Sequence, residues 1–429
     1  MKRLLLFATT TGYQTRSFGD AAARLGVELV FATDRCDMLE DPWQDSAIPV
    51  RFHEEDRSVA AILEQARTRP VDGILVVGDR PTTIAAMVGE ALGLPGHQPM
   101  ATAVARNKLL TRERLRDSDL HVPWFFPADV STDPRGLAAG VSYPCVIKPL
   151  SLSGSRGVMR ADDEASFVDA FLRLRKLLAS PDVRAERDEA HDGVLVEGFI
   201  EGWEFAVEGL LHHGAFYELA IFDKPDPLDG PFFEETIYVT PSLAPDPMQR
   251  DIVDAIARAA AAIGLTHGPV HAECRVGDRG VFVLEVAARP IGGLCAGALK
   301  FRKHDARAGT PAISLEELLL RHALGESPDD WRRERAASGV MMIPIPQAGI
   351  YRGVEGVEAA TGVAGIDDVR ITAKPDQKLV PLPEGASYLG FIFAHGDAPA
   401  AAEQSLREAH ARLRFLIDPE VPMVQSPHG

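Results

Sequence analysis

Glu273 and Glu285 stand on two apolar-rich runs, Val270 to Val276 and Val281 to Val286, separated by Gly277-Asp278-Arg279-Gly280. Turn composition between two such runs predicts a β-hairpin. A three-residue loop of Asp278, Arg279 and a left-handed Gly280 pairs Gly277 with Val281, and counting back sets Glu273 opposite Glu285 on one face. Like charges placed opposite one another on a sheet repel, so a divalent cation is the expected occupant. Oxygen-only ligands on rigid strands suit Mg²⁺, with Mn²⁺ as the alternative; such an ion completes its shell with water and substrate phosphates. Arg289 lies four residues beyond Glu285, and its fixed fork of donors fits a phosphate or a carboxylate. An exposed hairpin with solvated acids is the plainer reading of the same residues.

Lys148 is the one charged residue in the strand-like run Tyr143 to Pro149, where an ammonium needs an anion. It is followed by Ser151-Leu-Ser-Gly-Ser-Arg-Gly-Val158, a small-residue loop whose backbone donors and hydroxyls could wrap phosphates, although many Gly/Ser turns bind nothing. Glu197 is alone in the apolar strand Val194 to Ile200 and requires a donor, for which an amino group or a backbone amide would serve. Beyond Glu201-Gly202-Trp203, the run Glu204 to Leu211 alternates polar and apolar residues as a strand does. His267 and His271 have the spacing of a zinc-binding helix but straddle Gly268-Pro269, which keeps them off one helical face.

These residues need a scaffold. Residues 1 to about 100 alternate strands and helices: Arg3 to Ala8, a helix near Arg16 to Leu25, Val27 to Ala32, Gly73 to Gly78, and a helix from Thr82 to Leu92. That alternation predicts a parallel, Rossmann-like sheet of βαβ units. The loop Thr9 to Tyr13 lacks G-x-G-x-x-G, so Asp34 is read as a loop cap rather than a ribose ligand. Asn107-Lys108 opens an amphipathic segment, Leu109 to Leu115, and the prolines of His121 to Pro127 keep that run extended. Toward the end, Gly339 to Pro344 and Tyr388 to Phe393 read as strands and Ala400 to Leu416 as a helix. Their expected role is to close the sheet behind the site, with a surface available for a homodimer.

The 429 residues are 46% hydrophobic and 25% charged, which is ordinary globular composition. A net charge of −17 with no Lys/Arg cluster excludes a nucleic-acid-binding face. No run reaches the roughly 18 apolar residues of a membrane span. The start, Met1 to Thr10, is read as a first strand rather than a signal peptide, its apolar run being too short. Cys36, Cys145, Cys274 and Cys295 are scattered, as expected of reduced cytoplasmic thiols.

Lys108, Lys148, the Ser/Gly loop, Glu197 to Glu204 and the Glu273/Glu285 hairpin occur in an order that resembles the ATP-grasp superfamily, over roughly Ala101 to Lys300. The resemblance implies an α/β and α+β chain in three parts: an N-terminal domain over 1–100, a two-lobe nucleotide domain over 101–311 with its central lobe at about 120–205, and a C-terminal α+β domain over 312–429. It implies that Lys108 and Lys148 neutralise ATP phosphates, that Ser153, Gly154, Ser155 and Gly157 form the lid, and that Glu197, Gly198, Phe199 and Ile200 form the adenine hinge. Glu204 would take the ribose hydroxyls, Glu273 and Glu285 the Mg²⁺ ions, and Arg289 the acylphosphate. Many members have an Asn where this chain has Ala287, and His271 replaces the Arg of D-alanine-D-alanine ligases. Asp223 to Thr236, Glu285 to Gly293 and Leu382 to Ala394 are similar to the L-amino-acid ligases that make dipeptides from amino-acid substrates. By that analogy Glu235 binds a substrate amino group, and Glu235 and His271 are the candidate bases. A carboxylase or purine-pathway-like ligase, and a nucleotide-binding regulatory protein without chemistry, are the alternatives.

Overall fold

The computed structural model describes residues 1–9, 14–34, 47–307 and 309–419, so Cys36 and most of the loop after the first strand lie outside the described residues. Arg3–Phe7 is buried along its whole length, as a strand covered on both faces must be. It lies parallel between Glu28–Thr33 and Gly73–Val76, with Ile48–Pro49 at one edge, and so forms the expected parallel sheet. Helices Thr15–Leu25 and Thr82–Leu92 each stop at a left-handed glycine, Gly26 and Gly93.

A second sheet of four antiparallel strands runs Phe125–Asp129, Gly193–Gly198, Cys145–Pro149, Met159–Ala161. Helix Glu164–Leu178 covers it by burying Phe167, Phe171, Leu174 and Leu178, residues that recur on one helical face. Its first turn is closed by a reciprocal Asp163–Ser166 cap.

The third sheet has eight strands in the order Gly280–Ala287, Gly268–Gly277, Trp203–His212, Ala215–Asp223, Ile237–Thr240, Ala337–Ile343, Gly390–Gly396, Ile366–Ile371. Ile237 pairs with Met341 and Thr240 with Ser338, so one continuous sheet spans both sides of the boundary expected at residue 311. Helix Asp246–Ile263 packs on the first strands and helix Pro399–Ala411 on the last.

Two expectations are corrected. The helix expected to run to Leu416 ends at Ala411, and Arg414–Pro419 is a strand paired with Gly349–Glu355. Arg412-Leu-Arg-Phe415 alternates charged and apolar residues, and that period of two wins. In the hairpin, Gly277 pairs with Gly280 and not Val281, so the turn is one residue shorter than expected. Leu284 is then an extra residue between the pairs Cys274–Val283 and Glu273–Glu285, and this bulge returns the two acids to opposite positions.

Candidate active site

Between the three sheets lies a cavity of about 480 Å³, the volume of a small-molecule site. Lys108, Lys148, Ser153, Gly154, Ser155, Glu197, Gly198, Phe199, Ile200, Glu204, Glu235, His271, Glu273, Glu285 and Arg289 all line it. Gly157 does not. Its φ of +76° and the 2.9 Å that would separate a Cβ from Leu174 make it a packing glycine at the foot of the loop, its N–H bonded to the Pro383 carbonyl at 2.8 Å.

Lys148 sits inside strand Cys145–Pro149 and donates to Glu197 Oε1 at 2.5 Å. Arg112, which the sequence reading passed over, is also buried there: its Nε reaches Glu197 Oε2 at 2.7 Å and its Nη1 the Val283 carbonyl at 2.8 Å. Burial alone would raise the Glu197 carboxyl, but Arg112 and Lys148 outweigh it and hold it at about 2. For Lys148 burial wins over Glu197 and pushes the ammonium down to about 8. The Glu197 carboxylate therefore orients Lys148. Of the hinge N–H groups, Gly198 bonds the Trp124 carbonyl at 2.9 Å and Phe199 the Pro144 carbonyl at 3.1 Å.

A second group surrounds Lys224, also overlooked, whose Nζ lies 2.8 Å from Glu204, 2.5 Å from Glu235 and 2.9 Å from Glu273. Burial opposes its charge, but the three carboxylates push its pKa well above the usual lysine value. Arg275 binds the other Glu204 oxygen at 2.8 Å and the Ile200 carbonyl at 2.7 Å, and lies over the Phe199 ring. Burial and the charge of Glu273 push Glu235 up to about 7, against the pull of Lys224. Burial disfavours charge on His271, yet its contacts with Glu208 and Glu273 raise it to about 9. Those contacts favour the imidazolium, the form that cannot accept a proton.

Across the hairpin, Lys108 Nζ is 3.3 Å from Glu285 and 2.7 Å from the Leu152 carbonyl at the root of the Ser/Gly loop. Asn107 accepts from the Leu109 and Leu110 N–H groups and so fixes Lys108 as the first residue of helix Lys108–Asp117. Glu273 and Glu285 thus present only oxygens, and each already faces an ammonium. A hard divalent cation fits that donor set, with Ala287 contributing no ligand.

Arg289 is buried and holds Asp79, three residues beyond the parallel strand Gly73–Val76, with Nε and Nη2 at 3.0 Å each. Asp79 was also missed, although the carboxyl ends of parallel strands are where such sheets place functional groups. The Ser/Gly loop leans on the C-terminal segment: Arg156 Nε reaches the Glu384 carbonyl at 2.8 Å, and Arg173 binds the Glu384 side chain at 2.5 and 2.8 Å.

The chain is similar to known proteins along most of its length. A family model described as an ATP-grasp domain matches residues 141–298, an ATP-grasp N-terminal domain matches 19–96, and an L-amino acid ligase C-terminal domain 2 matches 341–418. Dapdiamide A synthase of Enterobacter agglomerans is 24% identical over 82% of this chain and 82% of its own. Alanine–anticapsin ligase of Bacillus subtilis is 27% identical over 56% of this chain, which spans about half (52%) of that relative. The crystal structure of an L-amino acid ligase from Bacillus licheniformis superposes with a TM-score of 0.79 at 25% identity, covering 97% of this chain and 99% of that one. The chain belongs to the ATP-grasp superfamily, among members that carry the L-amino acid ligase C-terminal domain.

Proposed function

We propose that the protein is an ATP-dependent ligase that joins the carboxylate of one amino acid to the amine of another. The observation that carries the reading is the meeting of Glu273, Glu285, Lys108, Lys148 and Arg289 in one cavity of a chain whose C-terminal domain is of the L-amino acid ligase kind. Phosphoryl transfer to a carboxylate needs positioning and charge neutralisation more than a covalent nucleophile. A carboxylate oxygen bonds to the γ-phosphorus while the bond to ADP breaks; the amine then attacks the acyl carbon and phosphate leaves.

Lys108 and Lys148 hold the phosphates from two sides, the latter kept in place by Glu197. Ser153, Gly154 and Ser155 cover them and exclude water. Glu204 retains an acceptor site on each oxygen for a ribose hydroxyl, and Ile200 borders the adenine. Glu273 and Glu285 would hold Mg²⁺, which when bound offsets the charge on the transferring group. Arg289 faces the acyl oxygens. Glu235, poised near neutrality, accepts the proton that the attacking amine loses.

The test is a pairwise screen of the proteinogenic amino acids for ADP and phosphate release with Mg²⁺-ATP. Release that requires two amino acids supports the proposal. Release that needs bicarbonate, or no acceptor at all, excludes it.

A further inference from the structure

The imidazoles of His212, His213, His267 and His322 converge at the end of strand Trp203–His212 remote from Glu204, about 26 Å along the strand from Glu204 and about 13 Å from Glu208, which pairs with the cavity-lining His271. His212 Nδ1 lies 3.2 Å from His322 Nε2, and the ligand nitrogens of His212, His267 and His322 all fall within 4.8 Å of one another. Tetrahedral zinc with bonds of ~2.0–2.1 Å separates its ligand nitrogens by about 3.3 Å. The His212–His322 contact already has that spacing. The rings of His267 and His322 stack at 4.4 Å and are largely buried, while His213 is exposed beside them and offers an entry path.

His97 shows what a purely structural histidine looks like here. Its Nδ1 accepts from the Thr266 N–H at 3.2 Å and its Nε2 meets the Pro269 carbonyl at 3.3 Å, so both nitrogens are committed to backbone. Among the described residues, the cluster's only backbone contact is the long 3.4 Å approach of the His213 N–H to His267 Nδ1. His212 Nδ1 and His322 Nε2 instead face one another.

We propose that His212, His267 and His322 form a zinc-class metal site, with His213 or water as the fourth ligand. The site is structural. It would fasten the end of strand Trp203–His212 and the turn before strand Gly268–Gly277 to helix Leu315–Ala323, whose last residues also abut the first sheet: a Cβ on Gly73 would lie 2.4 Å from the Ala323 carbonyl oxygen.

The experiment titrates metal-stripped full-length protein with Zn²⁺ in excess Mg²⁺, using a chromophoric zinc chelator as competitor. One equivalent is expected to bind, His212→Gln and His322→Gln each to weaken it at least about tenfold, and His97→Gln to leave it unchanged. Nucleotide turnover is expected to survive all three substitutions. Should the variants fold poorly, wild-type protein decides: Zn²⁺ raises its Tm and a zinc-selective chelator reverses the rise. Zinc uptake that is absent, or that persists in both cluster variants, or a wild-type Tm indifferent to Zn²⁺, overturns the proposal.

Discussion

Arg289 holds Asp79 with both arms of its guanidinium, and this pair joins the edge of the eight-stranded sheet to the parallel sheet of the N-terminal region. The carboxylate of Asp79 takes Nε and one hydrogen of Nη2, and the Pro290 carbonyl one hydrogen of Nη1, so the guanidinium is held with a hydrogen on each Nη left for a substrate oxygen. Arg289→Lys keeps the charge and loses the fork, and turnover is expected to fall about 10²–10³-fold. Asp79→Asn leaves the fork without its orienting partner, and a loss of about 10–100-fold, the scale of partners that orient functional groups, is expected in kcat/KM. Wild-type kcat/KM in Asp79→Asn would show that the contact orients nothing.

Lys148 gives the site a pH dependence with a definite sign. Its ammonium, pushed down to about 8 by burial, is present below that pH and lost above it. Phosphate binding needs the charged form, so kcat/KM for ATP should fall as pH rises through about 8. The limb should be weaker in kcat, because bound phosphates favour the ammonium. Lys148→Arg, always charged, should lose the limb even if its rate is lower. A wild-type profile flat across that pH would contradict the assignment.

Lys224 is shared by three carboxylates at once. Lys224→Met removes the cation and leaves Glu204, Glu235 and Glu273 facing one another, an arrangement expected to cost on the order of 3–5 kcal/mol of stability. Mg²⁺ can take over part of that role. Thermal melts should therefore show a larger Mg²⁺-induced rise in Tm for the variant than for the wild type. Equal shifts would mean that the ion does not bind among these acids.

Glu285 is the cleaner probe of the metal assignment, because its side chain is 28% exposed and contributes little to packing. Glu285→Gln should abolish turnover at saturating Mg²⁺ while leaving the circular dichroism melt unchanged. Activity near the wild-type level would refute the assignment.

The hairpin shows how much of this site the sequence carries and where it stops. The alternation of residues around Gly277 to Gly280 announces two strands and nearly fixes their register. The turn is one residue tighter than its composition suggests, and the bulge at Leu284 restores the facing acids. Such a bulge answers to packing across the sheet, which no local pattern reports. Arg112 and Lys224 were invisible for a related reason. Each looks like an ordinary surface charge until strands far apart in sequence, such as those bearing Glu197 and Glu273, supply its partner. The strand Arg414–Pro419 is different: its alternation was legible, and the preceding helical pattern masked it.

The central claim is that a carboxylate oxygen of one amino acid is transferred onto the terminal phosphate of ATP. Once a productive pair has been found by the screen, the acid is labelled with ¹⁸O in its carboxylate and the released phosphate is analysed by mass. The account predicts one labelled oxygen in each phosphate formed. Phosphate free of label, or label recovered in AMP, would contradict it.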